Sequence, residues 1–200
     1  PALRNGGFVD PALERDQQPP DSWLDAAASL DALPDGYRVL QIPGTEFGSY
    51  QWGYTVDQPL PALTDRPLVT RDLLPLGSPA AMDLVFALDD RVQDGTLDPD
   101  AVAPVARLLG VDTIWLTNDV QFDRFRLARP EPVADLLTHG GVDGLGNPAS
   151  FGEPTVMLPH VPYIDEQSIG DSRVGTSIAP VQLLPVGEAV PTMRVKDEIV

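Results

Sequence analysis

The sequence contains no cysteine, which excludes disulfide bonds, thiol catalysis and the usual cysteine-based zinc sites. Basic residues are also scarce: 13 Lys and Arg stand against 30 Asp and Glu, and the formal net charge is −17. A field of this sign repels phosphate backbones, so we expect no nucleic acid partner. No apolar run approaches the roughly 18 to 20 residues of a membrane-spanning helix, and this part of the protein is therefore expected to be soluble by itself.

Histidine is rare as well, and catalytic motifs are missing. His139 and His160 stand far apart in the sequence, each next to Gly or Pro, so exposed loop histidines are a simpler interpretation than a metal site. No serine has the G-x-S-x-G context of a hydrolase, and no phosphate-binding glycine motif follows a strand. We therefore assign no catalytic residue, no metal ligand and no cofactor to this chain.

The two ends of the sequence favour a segment of a longer protein. The chain opens on Pro1 without an initiator Met and closes on an apolar run that is typical of a strand cut short. Its 200 residues can bury one good-sized core, while 22 Pro and 17 Gly predict long connecting segments.

Helix and strand signals alternate along most of the chain. Residues 38–42 alternate polar and apolar side chains before Pro43-Gly44, and residues 111–117 are rich in β-branched side chains, which predicts two strands. Between them, two segments begin with a capping residue followed by Pro and end at Gly, which predicts helices at 78–94 and 98–109. We expect both strands in one sheet with both helices packed on it. The fold class is then α/β, a small mixed sheet with helices packed on it and long Pro/Gly-rich loops.

Weaker signals complete the secondary structure. Trp23 and three apolar residues at helical spacing predict a helix at 18–33, with Asp21 or Ser22 as its cap. The remaining candidates are short helices at 120–125 and 132–137 and strands at 180–184 and 193–200.

Composition divides the chain into three parts. Residues 1–138 are the predicted α/β domain. Residues 139–162 are rich in Gly and Pro with little periodicity, so we predict a surface loop that is the least ordered internal region. Residues 163–200 are predicted C-terminal strands that lead into a following domain of the parent protein.

The segment after the first predicted strand, residues 43–76, is named here the aromatic loop. It carries Phe47, Tyr50, Trp52 and Tyr54 close together, with glycines between them and acids around them. Flat rings and carboxylates suit a sugar, because its C–H faces pack on rings and its hydroxyls need acceptors. The candidate substrate-binding residues are Glu46, Tyr50, Trp52, Tyr54, Asp57, Arg71 and Asp72.

Other roles for the aromatic loop stay open. Its rings could instead plug one end of the core. Its carboxylates could pair with Arg66 and Arg71 and so pin the loop, or two of them could form the acid and base of a glycosidase.

Three stretches of the sequence resemble a known family. They are PGTEFGSYQWGYTVDQPLPALTDRPLVTRDLLPLGSPAAMDL, ARLLGVDTIWLTND and FDRFRLARPEPVADLL. Their amino-acid sequences are similar to those of the large actinobacterial alpha-(1->3)-arabinofuranosyltransferases, which build cell-wall arabinan. The similarity extends over most of the chain and is more specific than a short motif.

This resemblance implies a membrane enzyme of the GT-C type, in which a many-helix membrane domain carries the catalytic acid and large extracytoplasmic domains follow. It implies a polyprenyl-phosphate arabinose donor for the full-length enzyme, and an arabinan or other glycan acceptor. The membrane domain of the same polypeptide would be the partner of this segment. The implied location is the cell envelope, on the extracytoplasmic (periplasmic) side of the plasma membrane.

The resulting hypothesis is an extracytoplasmic segment of a membrane-bound arabinofuranosyltransferase, which binds acceptor or forms the scaffold above the membrane active site. By itself the segment is expected not to be catalytic. Two alternatives are a non-catalytic carbohydrate-binding or structural module and a free-standing glycoside hydrolase. A binding module would keep its affinity for arabinan in isolation, and a hydrolase would release reducing sugar without a lipid donor.

Overall fold

A computed structural model of the chain describes residues 18–74, 77–139 and 141–192. Its centre is a five-stranded mixed sheet. In chain order, the strands of this sheet are β1 (Arg38–Ile42), β4 (Leu68–Val69), β5 (Val111–Thr117), β6 (Ala149–Phe151) and β9 (Val181–Pro185). Two separate ribbons are formed by β2 (Gly48–Tyr50) with β3 (Gly53–Val56) and by β7 (Thr155–Val156) with β8 (Ser177–Ile178). The helices are α1 (Asp21–Asp31), α2 (Pro79–Gln93), α3 (Val102–Leu108), α4 (Phe122–Phe125), α5 (Pro130–Thr138) and α6 (Glu166–Gly170).

The strand order of the central sheet is β4-β1-β5-β9-β6. Strands β4, β1 and β5 are parallel, whereas β9 runs antiparallel to both of its neighbours. The two strongest strand predictions are therefore confirmed, and β1 and β5 are direct neighbours in one sheet. Parallel neighbours need a long crossover, and the chain between β1 and β5 supplies it with α2 and α3.

Side chains alternate between the two faces of the sheet, as strand geometry requires. Leu40 and Ile114 lie in a core cluster with the inner residues of α2, α3 and α5, which confirms that α2 and α3 pack on the sheet. Val39 and Trp115 face the opposite way and join a second cluster with Trp23 and its neighbours on α1. The sheet is thus covered by helices on one face, and by α1 and the β2–β3 ribbon on the other.

Several predicted boundaries need correction. Helix α1 begins at Asp21 rather than at residue 18, because Pro20 occupies the N-cap in an extended conformation and no side chain caps the helix. The short helix predicted at 120–125 begins only at Phe122. The side chain of Asp98 does cap a turn as predicted, by accepting a hydrogen bond from the backbone N–H of Asp100. The strand predicted at 193–200 lies outside the described residues.

Two further expectations about loops are wrong in part. The aromatic loop contains a hairpin, β2–β3, which was not predicted because its two-residue turn, Gln51-Trp52, lacks the Asn-Gly type of signal. The segment 139–162 was predicted to be a loop, yet it contributes β6 to the central sheet and β7 to a ribbon. These strands have only three and two residues, too few for a period to show. Whether 139–162 is the least ordered region, and where domains begin and end, stay predictions.

Among the described residues, every helix is too short or too polar to cross a membrane.

Candidate functional site

The carboxyl ends of parallel strands are where α/β sheets place their ligand sites. At this edge the chain leaves β5 through Asn118 and Asp119, both of which are buried. The backbone carbonyl of Asp119 accepts a hydrogen bond of 2.7 Å from the N–H of Gln51, in the turn of the β2–β3 ribbon. This bond ties the turn to the end of β5 and places Trp52, the next residue, beside the Asp119 side chain.

Three aromatic rings surround this carboxylate. Trp23 on α1 contacts Tyr50 edge-on, with ring centroids 4.8 Å apart. Trp52 stacks on Tyr50 at 5.1 Å with an interplanar angle of 5°, and it meets Trp23 edge-on at 5.7 Å. Tyr50 and Trp23 are buried, whereas Trp52 is half-buried. Trp52 is therefore the outer ring of the group, supported from below by the other two.

Asp119 is an unusual carboxyl group. Its side chain lies in the core, 3% exposed, and its Oδ2 accepts a hydrogen bond of 2.9 Å from the indole N–H of Trp23. Burial raises the pKa of Asp119 to about 7, and the indole groups of Trp23 and Trp52 offset only part of that rise. Within the described part of the chain, Asp119 Oδ1 and Trp52 Nε1 make no hydrogen bond. Trp52 Nε1 is nevertheless close enough to Asp119 to lower its pKa, so a buried donor and a buried acceptor lie side by side with no hydrogen bond of good geometry.

Both residues line the same cleft, named here the Trp52 cleft, which has a volume of about 300 Å³. Its lining residues are Pro20, Ser22, Gln51, Trp52, Asp119, Thr155, Val156, Met157 and Pro180. The lining combines apolar surface with a few polar groups and contains no Lys or Arg, which suits a neutral ligand with hydroxyl groups. One hydroxyl could donate to Asp119 Oδ1 and accept from Trp52 Nε1.

Tyr50 occupies a different position from the one that sugar stacking requires. It is 2% exposed, and its hydroxyl donates a hydrogen bond of 2.5 Å to Gln58 Oε1. Burial, together with the charges of Asp119 and Asp72, raises the pKa of Tyr50 well above its usual value. For this residue the core-plug alternative is the correct one, and Tyr50 supports Trp52 rather than facing a ligand.

Arg71 and Asp72 lie away from the Trp52 cleft. Arg71 forms ion pairs with Asp89 at 3.2 Å and Asp90 at 2.6 Å, and Asp89 also accepts a 2.7 Å hydrogen bond from the N–H of Gly44. Asp72 accepts a hydrogen bond from the N–H of Leu73. Arg71 therefore fits the alternative in which ion pairs hold the aromatic loop in place.

The other predicted residues do not gather around Trp52 either. Tyr54 lies under the guanidinium of Arg124, which is 4.2 Å from the ring centroid. Glu46 and Asp57 are exposed. Of the seven candidates, only Trp52 lines the cleft, and a role in substrate binding for the remaining exposed or half-exposed residues stays a prediction.

Sequence reasoning missed Asp119 as a candidate site residue and identified Trp23 only as part of a helix. A signal for Asp119 was present, because an Asn-Asp pair directly after a buried strand marks the carboxyl edge of a sheet. No sequence signal joins Asp119 to Trp23 or Trp52, because their contact is created by folding.

Comparisons with known proteins match nearly the whole chain. A sequence model of the family described as alpha-(1->3)-arabinofuranosyltransferase, N-terminal GT-C domain, matches residues 14–199. The alpha-(1->3)-arabinofuranosyltransferase of Mycolicibacterium smegmatis is 35% identical over 139 residues, which cover 68% of this chain and 9% of that protein. The protein of the same name from Mycobacterium tuberculosis is 29% identical over 157 residues, covering 75% of this chain and 11% of that protein.

A solved structure agrees with these relatives. The single-particle cryo-EM structure of arabinofuranosyltransferase AftD from mycobacteria superposes with a TM-score of 0.69 at 30% identity, and the match covers 85% of this chain and 12% of that one. The chain thus spans about a tenth of the length of the relatives that it matches.

Proposed function

The chain belongs to the alpha-(1->3)-arabinofuranosyltransferase family, and from this membership we propose that it is an extracytoplasmic segment of a membrane-bound glycosyltransferase of the GT-C type. The full-length enzyme transfers arabinofuranose from a polyprenyl-phosphate donor to cell-wall arabinan. A membrane domain of the same polypeptide supplies the catalytic acid. The segment contributes a contact site for the glycan acceptor.

One observation carries the assignment of the acceptor site. Asp119 Oδ1 and Trp52 Nε1, which find no partner among the described residues, line a single cleft beside a half-buried indole ring. In this proposal the Trp52 ring packs against the C–H face of a furanose, and Asp119 accepts a hydrogen bond from one of its hydroxyls.

Charge favours the acceptor over the lipid donor as the occupant. The donor carries a phosphate, whereas the Trp52 cleft holds a carboxylate and no basic residue, in a chain of net charge −17. A phosphate there would find no compensating cation, and its charge would oppose the ionisation of Asp119. A neutral, hydroxyl-rich acceptor meets no such penalty.

The test compares two substitutions of one residue in the full-length enzyme. Trp52→Ala removes the ring and the N–H, and should raise KM for the acceptor by the equivalent of about 1 to 3 kcal/mol, while KM for the lipid donor stays nearly constant. Trp52→Phe keeps an aromatic ring but loses the N–H donor. Its KM for the acceptor should lie between those of wild type and Trp52→Ala. Phe125→Ala, an exposed ring outside the Trp52 cleft, is the control and should leave acceptor KM unchanged.

Thermal stability, measured on the same variants, separates binding from scaffolding. A loss of roughly 3 to 5 kcal/mol in Trp52→Ala with normal acceptor dependence in the surviving enzyme would mean that Trp52 is a core residue. The segment would then be a structural scaffold, and the acceptor-binding role would be refuted.

A further inference from the structure

A second cavity lies next to the Trp52 cleft and has a volume of about 300 Å³. We name it the Glu131 cavity. Its lining residues are Glu131, Ala134, Asp135, Thr138, Ser150, Pro154, Arg173, Thr176, Ser177, Ile178, Ala179 and Gln182. Eight of these twelve side chains are polar or charged, so the cavity is suited to a polar ligand.

The buried member of this lining is Glu131, in the first turn of α5. It is 1% exposed, and its Oε1 accepts a hydrogen bond of 3.3 Å from the N–H of Gly175. The other oxygen, Oε2, has no partner in the portion of the chain that the structure describes. A buried carboxylate oxygen without a donor is costly, and a ligand that supplies a donor would relieve this cost.

A single ribbon separates the Glu131 cavity from the Trp52 cleft. Thr155 and Val156 of β7 line the Trp52 cleft, whereas Ser177 and Ile178 of β8 line the Glu131 cavity. The two strands are directly paired, Thr155 with Ile178 and Val156 with Ser177. Paired strands lie about 4.8 Å apart, so an elongated ligand needs to cross only one narrow ribbon to reach both sites.

The chemistry of the Glu131 cavity limits the class of ligand. Arg173 is its only basic lining residue, and this arginine already pairs with Asp135 at 3.4 Å and Asp171 at 2.7 Å, so a phosphate finds no free cation there. No described group of three or more His, Asp or Glu side chains could hold a metal ion. A neutral ligand rich in hydroxyl groups fits best, because it can donate to Glu131 and accept from the hydroxyls of the wall.

We propose that the Glu131 cavity is a second subsite for the glycan that occupies the Trp52 cleft, with Glu131 Oε2 accepting a hydrogen bond from a sugar hydroxyl across the β7–β8 ribbon. The inference rests on the proposed function, and it adds that the site takes an oligosaccharide rather than one terminal sugar. Affinity should therefore depend on the length of the acceptor.

The experiment titrates purified protein with arabinofuranose and with α-linked arabinofuranosides of increasing length, and measures Kd by calorimetry. Wild-type affinity should rise with length. Glu131→Gln keeps the size of the side chain but replaces the free acceptor by a donor, and should weaken binding of the longer ligands by about tenfold or more while monosaccharide binding is unchanged. Glu166→Gln removes an equal charge from an exposed site on α6 and should match wild type at every length.

A second variant tests whether the loss of binding in Glu131→Gln could result from misfolding. Ser177→Phe changes an exposed residue of β8 and fills the Glu131 cavity without disturbing Glu131 itself. It should give the same loss, confined to the longer ligands.

The outcomes distinguish this inference from the proposed function. If both variants bind every length as wild type does, while Trp52→Ala weakens all of them, the second subsite is refuted and the acceptor site stands. Equal weakening at every length, including the monosaccharide, would likewise refute a separate subsite. If wild type binds none of the ligands, the acceptor role itself is overturned and the second subsite falls with it.

Discussion

Asp119→Asn should change how the stability of the fold depends on pH. The pKa of Asp119 is about 7 in the folded chain, against an ordinary value of 3.8. The folded state therefore holds the proton of this carboxyl group more tightly than the unfolded state does. Its contribution to stability is fully present below about pH 3.8, declines as pH rises, and is lost above about pH 7.

The size of the effect follows from the difference between the two pKa values. About three pKa units at about 1.4 kcal/mol each give about 4 kcal/mol. Solvent screens this effect little because Asp119 is buried. Asn cannot ionise, but its carbonyl oxygen can still accept the hydrogen bond from Trp23. Relative to wild type, the variant should thus gain about 4 kcal/mol in the free energy of unfolding between about pH 4 and pH 8.

Urea denaturation of both proteins at a series of pH values measures this difference directly. Burial also raises the pKa of Asp89 and of Glu131, but these groups are common to both proteins and cancel in the comparison. Asp57→Asn changes an exposed acid and is the matched control, which should follow the wild-type profile. Parallel profiles for wild type and Asp119→Asn would refute the claim that Asp119 is buried with a raised pKa.

Two further predictions concern the Arg71 ion pair that holds the aromatic loop and the location of catalysis in the full-length enzyme. Arg71→Ala leaves the buried carboxylate of Asp89 with its hydrogen bond from Gly44 but without its cation, so it should lower the free energy of unfolding by about 1 to 3 kcal/mol at neutral pH. Denaturant titration measures this loss, and an unchanged midpoint would show that the ion pair contributes nothing. The 200-residue chain alone should transfer no arabinofuranose from a radiolabelled lipid donor, and detectable turnover would contradict the placement of catalysis in the membrane domain.

Local chemistry explains which parts of the fold could be predicted. The strands at 38–42 and 111–117 occur as predicted because their apolar side chains alternate or cluster within a few residues. Helix α2 begins after Ser78 and is followed by Gly95, which has a φ of 66° that suits glycine at a helix end. Strand β6 escaped prediction because it has only three residues and pairs with β9, which lies further along the chain.

The candidate site was less predictable than the fold. Of the rings in the aromatic loop, Trp52 lines the cleft and stays a candidate for binding, whereas the ring of Tyr50 is buried in the core. The chemical character of Asp119 depends on burial beneath α1 and the β2–β3 turn, and a linear pattern carries no measure of burial. Likewise, the free oxygen of Glu131 becomes recognisable only when the surrounding loops are in place.

The position of β9 also has a consequence for how the domain forms. This strand is the last of the central sheet in the sequence, yet it lies between β5 and β6. Until β9 is available, one edge of β5 has unpaired backbone groups and Trp115 lacks one of its neighbours. A nascent or shortened chain therefore exposes an apolar edge strand that can pair with another chain. The hydrogen bond between Trp23 and Asp119 already spans 96 positions, and such non-local contacts slow folding. A chain that ends before Val181 should therefore aggregate rather than form a smaller version of the domain.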